Sequence, residues 1–265
     1  MSLAQLRRLI KKVDVVLEVV DARDPWGTRS IEVERYAEKL GKPIVLVINK
    51  SDLVPAEVLK KWKNILGEKY PVVFISASKR LGTSNLWKML KKYASMRRGK
   101  KFITVAVVGI PNVGKSALIN YLKGAHSVGA SPIPGYTKAV TRLRVSRWLR
   151  VYDTPGIVPK LSAEELAIRG ALRPEALEDP VPAAVKLIEL ILKKNPALLK
   201  NLYGVETGDP YQFLEEFARK RGLLRKGGEP IIEEAARIVI RDWQAGKNHF
   251  YLEPEDYSLL PRALG

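Results

Sequence analysis

The segment Gly109-Ile110-Pro111-Asn112-Val113-Gly114-Lys115-Ser116 constrains this chain more than any other. It follows the apolar run Ile103 to Val108 and precedes the helix-like Ala117-Leu118-Ile119-Asn120-Tyr121-Leu122. A glycine-rich turn between a strand and a helix N-terminus aims backbone N–H groups at phosphate oxygens. Lys115 supplies a cation for the β- and γ-phosphates and Ser116 a Mg²⁺ ligand, with Asn112, Val113, Gly114 and Ala117 completing the nucleotide-binding turn. This is a P-loop, and it demands an α/β sheet around it. Such a loop usually follows the first strand of its domain, yet here Met1 to Val108 come first and carry α/β pattern of their own.

Continuous Val/Ile/Leu runs at Val15 to Val20, Ile44 to Ile48, Val72 to Ile75 and Ile103 to Val108 read as strands covered on both faces, while Thr141 to Ser146 and Leu149 to Tyr152 are strands of a different kind. The amphipathic segments Ile31 to Leu40, Ala56 to Leu66, Asn85 to Tyr93 and Ala117 to Leu122 supply the covering helices. The expected fold class is therefore α/β, a doubly wound sheet. Arg142 and Arg144 alternate with Thr141, Leu143 and Val145, so Thr141 to Ser146 reads as one arm of an antiparallel hairpin with a basic outer face. Beyond Pro159 the strand pattern stops. Ser162-Ala163-Glu164-Glu165 is a capping box, and helices are expected over Ala183 to Lys194, Pro210 to Arg221 and Pro230 to Ala245. The expected domains are residues 1–160, nucleotide-binding, and 161–265, smaller and all-helical.

Composition narrows the chemistry. There are 265 residues and no cysteine, which excludes disulfides and thiolate zinc sites, and the two histidines, His126 and His249, are too few for a histidine-rich metal centre. Any metal must use oxygen ligands. No apolar run approaches a membrane span, and the basic residues of Met1 to Lys12 are spread rather than grouped before an apolar stretch, so a cytoplasmic monomer without stable membrane association is expected. The net charge of +18, from 46 basic and 28 acidic residues, favours polyanionic partners such as nucleic acid. A lysine-rich surface of a heat-adapted protein is the bland alternative, but heat adaptation adds Glu along with Lys.

Other loops at strand ends complete a nucleotide site. In Asn49-Lys50-Ser51-Asp52 the Asp52 carboxylate matches guanine N1–H and N2–H₂, the Asn49 amide matches the other purine edge, and the Lys50 stem packs over the ring. The backbone N–H of Ala77 in Ser76-Ala77-Ser78 is placed to reach guanine O6. Asp153-Thr154-Pro155-Gly156 offers a carboxylate that holds Mg²⁺ through water and a Gly156 N–H that approaches the γ-phosphate where no Cβ intervenes. Thr137, in the Gly/Ser/Pro-rich stretch Ser127 to Thr137, is the candidate second hydroxyl ligand for Mg²⁺, a plain surface loop being the alternative.

Together these residues resemble the five G motifs of translation-factor-class GTPases, in an order that begins with the guanine-reading loops and reaches the phosphate loop later. That permuted order, with Asp21-Ala22-Arg23-Asp24-Pro25 after the first strand, resembles the YlqF/YawG family of circularly permuted ribosome-assembly GTPases. The resemblance covers roughly residues 10 to 160. Ser78 departs from it, standing where many relatives have lysine. The resemblance implies GTP hydrolysis to GDP and phosphate, Mg²⁺ as cofactor, and ribosomal RNA or a large-subunit precursor as partner. It further implies catalytic roles for Lys115, Thr137 and Gly156, and a helical domain that contacts the large subunit. Arg241 to Lys247 looks like the final helix of that domain.

Ile157 stands where small GTPases carry a water-positioning glutamine, so slow intrinsic turnover is expected, with a scaffolding module of negligible turnover as the alternative. Asn112 resembles the asparagine of cation-dependent GTPases, where K⁺ stands in for an arginine finger. Candidate RNA contacts are Arg219, Lys220, Arg221, Arg225 and Lys226, and a second group of Arg142, Arg144, Arg147 and Arg150. Trp148, Trp243 and Tyr251 are candidate stacking rings, although buried packing is the commoner use.

Overall fold

In a computed structural model, residues 3–97, 99, 101–124 and 140–258 are described. The chain divides into two compact units, one ending at Pro159 and resuming at Tyr251, the other running from Lys160 to Phe250.

The first unit is built on a six-stranded sheet. Its strands are β1 (Val15–Asp21), β2 (Ile44–Asn49), β3 (Val72–Phe74), β4 (Ile103–Val108), β5 (Thr141–Arg144) and β6 (Leu149–Asp153), in the spatial order β3-β2-β1-β4-β6-β5. All neighbours are parallel except β5, which runs antiparallel to β6 as the alternating arginines predict. Its helices are α1 (Leu3–Lys12), α2 (Ile31–Lys39), α3 (Ala56–Gly67), α4 (Thr83–Met96) and α5 (Lys115–Gly124). Because side chains alternate across a strand, Val16 and Val20 of β1 meet Leu9 and Ile10 of α1, Val33 and Ala37 of α2, and Val58 and Trp62 of α3 in one apolar cluster. Val15, Leu17 and Val19 point to the opposite face, where α4 and α5 bury Leu86, Leu90, Leu118 and Leu122. Double coverage is why Ile44 to Ile48 of β2 reads as an unbroken apolar run and Val15 to Val20 of β1 as one broken only at Glu18.

The exception in β1 is Glu18, fully buried, whose carboxylate accepts the Ser30 N–H at the start of α2. Beside it Glu34 is held by the Arg29 fork, both bonds 2.6 Å, and accepts the Tyr70 hydroxyl at 3.0 Å. Burial, then the nearby Glu34 charge, pushes the Glu18 carboxyl well above the usual range.

The second unit holds α6 (Ala163–Ile168), α7 (Val181–Lys194), α8 (Pro196–Tyr203), α9 (Pro210–Lys220) and α10 (Ile232–Gln244). The capping box forms: the Glu165 N–H donates to Ser162 Oγ and the Ser162 N–H to the Glu165 carboxylate, both at 3.2 Å. Leu187, Ile188, Ile191, Phe213, Phe217, Val239 and Ile240 make the core, with Tyr203 edge-on to Phe213 and Phe217.

The helical stretch expected to run through residue 265 stops sooner. Residues 251–258 join the α/β unit, where the Leu252 N–H donates to Arg23 O at 2.7 Å, Trp62 Nε1 donates to Leu252 O at 3.0 Å, and Tyr257 packs edge-on to Trp26 and Trp62. Two backbone hydrogen bonds of Leu252 and the packing of the Tyr257 ring on Trp26 and Trp62 hold this segment to the α/β unit. Trp243 is likewise no free stacking ring, since it is buried against Phe250 with Nε1 donating to Ile168 O at 2.6 Å. Among the described residues no helix is long and apolar enough to cross a membrane.

Candidate nucleotide site

Strand order reverses between β1 and β4, and the crevice at the C-terminal ends of strands beside such a reversal is where open α/β sheets bind ligands. The phosphate loop leaves β4 at that point. Gly109 has φ +146 and a Cβ there would lie 2.4 Å from Val19 O; Gly114 has φ +97 and its Cβ would lie 2.1 Å from Asn49 Nδ2. Both glycines are therefore required by close approach as well as by backbone angle.

Asn49, 3% exposed at the end of β2, links two loops. Its Nδ2 donates to Val113 O in the phosphate loop at 2.9 Å, and its Oδ1 accepts from the Ala77 N–H after β3 at 3.0 Å. Two expectations change here. The Asn49 amide serves the protein rather than a purine edge, and the Ala77 N–H expected to reach guanine O6 is taken by Asn49. Both follow from the need of buried backbone groups for partners. Ser76 is buried alongside.

Lys50 sits at φ +62, and its Nζ lies 2.7 Å from Asp21 Oδ2. Asp21 also receives Arg23 Nε at 3.0 Å and Nη2 at 2.8 Å. Burial resists ionisation of Asp21, but Arg23 and then Lys50 outweigh it and hold the carboxyl far below the usual range. The Asp-Ala-Arg stretch thus anchors the lysine of the guanine-reading loop. At Asp52 burial also resists ionisation, and hydrogen bonds from Ser76 and Lys79 overcome it; Lys79 Nζ lies 2.9 Å from Asp52 Oδ2. Sequence reading stopped at Ser78 and missed Lys79, which brings an amine to this loop one position later.

Lys115 is 7% exposed at the start of α5 and donates to Ile110 O at 2.7 Å. Burial pushes its amine down to about 8, with the charge of Asp153, at the end of β6, working the other way. Ser116 is half-buried in the same first turn, while Asn112, at φ +63, and Ala117 are exposed. After Asp153 the chain is fastened to the phosphate loop: Thr154 Oγ1 donates to Val107 O at 2.7 Å and the Ile157 N–H to Gly109 O at 3.0 Å. A Cβ on Gly156 would lie 2.8 Å from Pro111 Cγ and 2.9 Å from its N, so this glycine is needed for contact with the phosphate loop itself. Ile157 is 8% exposed and belongs to the apolar cluster. Thr137 and the rest of Ser127 to Thr137 lie outside the described residues.

The basic candidates fall into one group on each unit. Arg142, Arg144 and Arg147 are exposed on the β5–β6 hairpin, and Arg150 is half-buried. Trp148 packs edge-on to Trp87, and Tyr251 rests on the α/β core. Arg219, Lys220, Arg221, Arg225 and Lys226 are all exposed at the end of α9 and in the loop after it. Arg219 reaches Gly228 O, Lys220 reaches Gly204 O, Arg221 covers the Phe217 ring, and Arg225 pairs with Glu233.

A phosphate loop, an Asn-Lys-x-Asp loop tied to it and an Asp-x-x-Gly turn fastened beneath it, all at one sheet edge, define a P-loop GTPase domain of permuted motif order. The comparisons agree in pattern. A 50S ribosome-binding GTPase family model matches residues 104–202, and the elongation factor Tu GTP-binding domain model matches residues 3–96. A GDP-bound YlqF structure is 30% identical with a TM-score of 0.66, covering 95% of this chain and 100% of that one. The chain belongs to the YlqF family of circularly permuted GTPases.

A GTP-binding protein of Methanocaldococcus jannaschii is 38% identical over 93% of this chain and 65% of its own length. Nucleolar GTP-binding protein 2 of Schizosaccharomyces pombe is 36% identical over 96% of this chain and 48% of its own. The chain thus spans from half to somewhat under two thirds of these relatives. The cytoplasmic placement expected from composition is overturned by the second of them, which is named for the nucleolus. Composition registers membrane insertion and secretion, but it does not separate cytosol from nucleolus for a basic chain.

Proposed function

We propose that this chain binds GTP in the crevice between β1 and β4, hydrolyses it to GDP and phosphate, and acts as a switch in large-ribosomal-subunit assembly by binding ribosomal RNA. The observation that carries the reading is the pair of hydrogen bonds made by the Asn49 side chain, which joins the phosphate loop to the loop after β3 and so makes guanine reading and phosphate binding parts of one frame. Asp52 accepts guanine N1–H and N2–H₂ in place of the Lys79 ammonium, and Lys50, anchored by Asp21, lays its stem against the ring. Lys115 exchanges Ile110 O for phosphate oxygens, which as anions are stronger partners for an ammonium than a neutral carbonyl.

The donor set suits a hard divalent ion. Ser116 and Asp153, with Thr137 as a further hydroxyl, are the residues that would hold Mg²⁺, Asp153 through water, and its chemistry is to neutralise charge on the phosphates. Asn112 is the proposed K⁺ contact. Gly156 keeps the Asp-x-x-Gly turn against Pro111, where its N–H serves the γ-phosphate. Burial of Ile157 leaves no side chain at that position to orient the attacking water, so turnover is slow until a partner supplies what is missing. The same observation favours the second reading, a GTP-dependent RNA scaffold with negligible turnover.

Sedimentation with purified large subunits under GDP and a non-hydrolysable GTP analogue, paired with a turnover assay, tests both. Subunit binding that depends on the analogue, with subunit-stimulated hydrolysis, is the expected result. Binding without stimulation favours the scaffold, and absence of binding removes the assembly role.

A further inference from the structure

The sheet face that α1, α2 and α3 cover over β1 to β3 continues onto β6 and β5. Register shows this as one row: Val16 lies beside Ala106, Ala106 beside Tyr152, and Tyr152 beside Arg142. Thr104, Arg150 and Arg144 form the next row. Val16 and Ala106 are in the apolar cluster, whereas Arg142 and Arg144 are exposed. The two rows therefore leave the covered part of the sheet and emerge as a basic, aromatic strip.

The strip is organised. The Arg150 guanidinium lies 4.7 Å from the Phe102 ring centre, and Arg142 lies 5.7 Å from Phe102 and 6.0 Å from Tyr152. Arg150 is fixed further by Nη1 donating to Ser146 O at 2.6 Å. Among the described residues no carboxylate pairs with Arg142, Arg144, Arg147 or Arg150. Like charges gathered on one strand pair without counter-charge are unfavourable in the free protein and are relieved by a polyanion.

We infer that this face of the β5–β6 hairpin is a docking strip for single-stranded RNA, a second RNA contact on the α/β unit, separate from the α9 group; the inference rests on the RNA-binding reading above. Guanidinium planes backed by aromatic rings present flat faces on which unpaired bases stack, while their N–H groups reach the phosphates. A flat strip does not enter the grooves of a duplex. Acidic peptides and lipid headgroups satisfy the charge but have no use for the stacked planes. The strip also ends at the nucleotide crevice, since Thr141 at the start of β5 pairs with Asp153.

The test is fluorescence anisotropy with a fluorescein-labelled 20-mer of uridine, U20, in 50 to 300 mM KCl. Arg142→Gln with Arg144→Gln should weaken binding about tenfold at 100 mM KCl and flatten the log–log salt slope by about 1.4, two contacts at ~0.7 each. Phe102→Leu keeps all charges, so it should lose about fivefold with the slope unchanged. Thermal midpoints of the variants establish that they fold. If the hairpin variant keeps affinity and slope while Arg219→Gln with Lys220→Gln and Arg221→Gln loses both, the hairpin inference falls and the RNA reading stands. If the unmodified protein binds neither U20 nor ribosomal RNA but does bind phosphatidylglycerol vesicles or polyglutamate, both fall. Cross-linking of 4-thiouridine RNA to the unmodified protein needs no variant: adducts on peptides holding Phe102 or Tyr152 support the strip, and adducts confined to other peptides overturn it.

Discussion

Replacing Asn49 with alanine should loosen the nucleotide site before any nucleotide is added. The side chain satisfies Val113 O and the Ala77 N–H, and both residues are buried, at 1% and 7% exposure. Alanine leaves one acceptor and one donor without partners, each costing roughly 1–3 kcal/mol, so the expected loss is about 2–6 kcal/mol. At roughly 2–4 °C per kcal/mol for a unit of this size, the nucleotide-free protein should melt about 4–24 °C lower. Gly114→Ala attacks the same contact from the other side, because its Cβ would lie 2.1 Å from Asn49 Nδ2. The two substitutions should therefore be non-additive: once Asn49 is gone, Gly114→Ala retains only its backbone strain at φ +97. Urea unfolding of the two single variants and the double variant, followed by tryptophan fluorescence without nucleotide, gives the full cycle. An Asn49→Ala stability within about 0.5 kcal/mol of the parent, or a strictly additive cycle, would refute the reasoning.

Three further outcomes are expected. Asp52→Asn should shift preference from guanine toward xanthine nucleotides, since an amide NH₂ complements a base carbonyl; unchanged discrimination between GTP and xanthosine triphosphate would remove Asp52 from the base site. Glu18 has a folded-state value raised above its ordinary 4.5, first by burial and then by Glu34, so its neutral form stabilises the fold below that value and the contribution is lost as pH rises toward the folded value. Glu18→Gln should accordingly gain stability relative to the parent as pH rises above 4.5, and a gain that does not grow with pH counts against a buried neutral carboxyl. Hydrolysis should run faster in K⁺ than in Na⁺, and Asn112→Ala should lose that difference; equal rates in the two salts for the unmodified protein end the cation reading.

Most of the fold was legible because a sheet covered on both faces needs continuous apolar strands, and β1, β2 and β4 are such runs. The hairpin was legible from arginines alternating in β5. The motif loops were legible because each lies at a strand end, where chemistry and position coincide. What stayed hidden depends on pairing across distance. That Asn49 would spend its amide on Val113 and Ala77 follows from three loops meeting, not from any one of them. Lys79 was passed over because the family pattern places its lysine one residue earlier. α1 was not anticipated, since spread lysines and arginines masked the apolar positions Leu6, Leu9 and Ile10 that bury it. The return of residues 251–258 was invisible for the same reason, as nothing local in Leu252 or Tyr257 identifies Trp62 as a partner.

That return makes the helical unit an insertion in the α/β unit rather than a tail. The chain departs just after the Asp-x-x-Gly turn and re-enters against the loop that follows β1, whose Arg23 also grips Asp21. Cutting the chain after Pro159 to isolate a GTPase domain would strip Leu252 from Trp62 and Arg23, and Tyr257 from Trp26, exposing two tryptophans beside the anchor of Lys50. The α/β unit without its helices is better obtained by excising residues 160–250 and joining the cut ends with a flexible linker, which keeps both sides of this seam in one molecule.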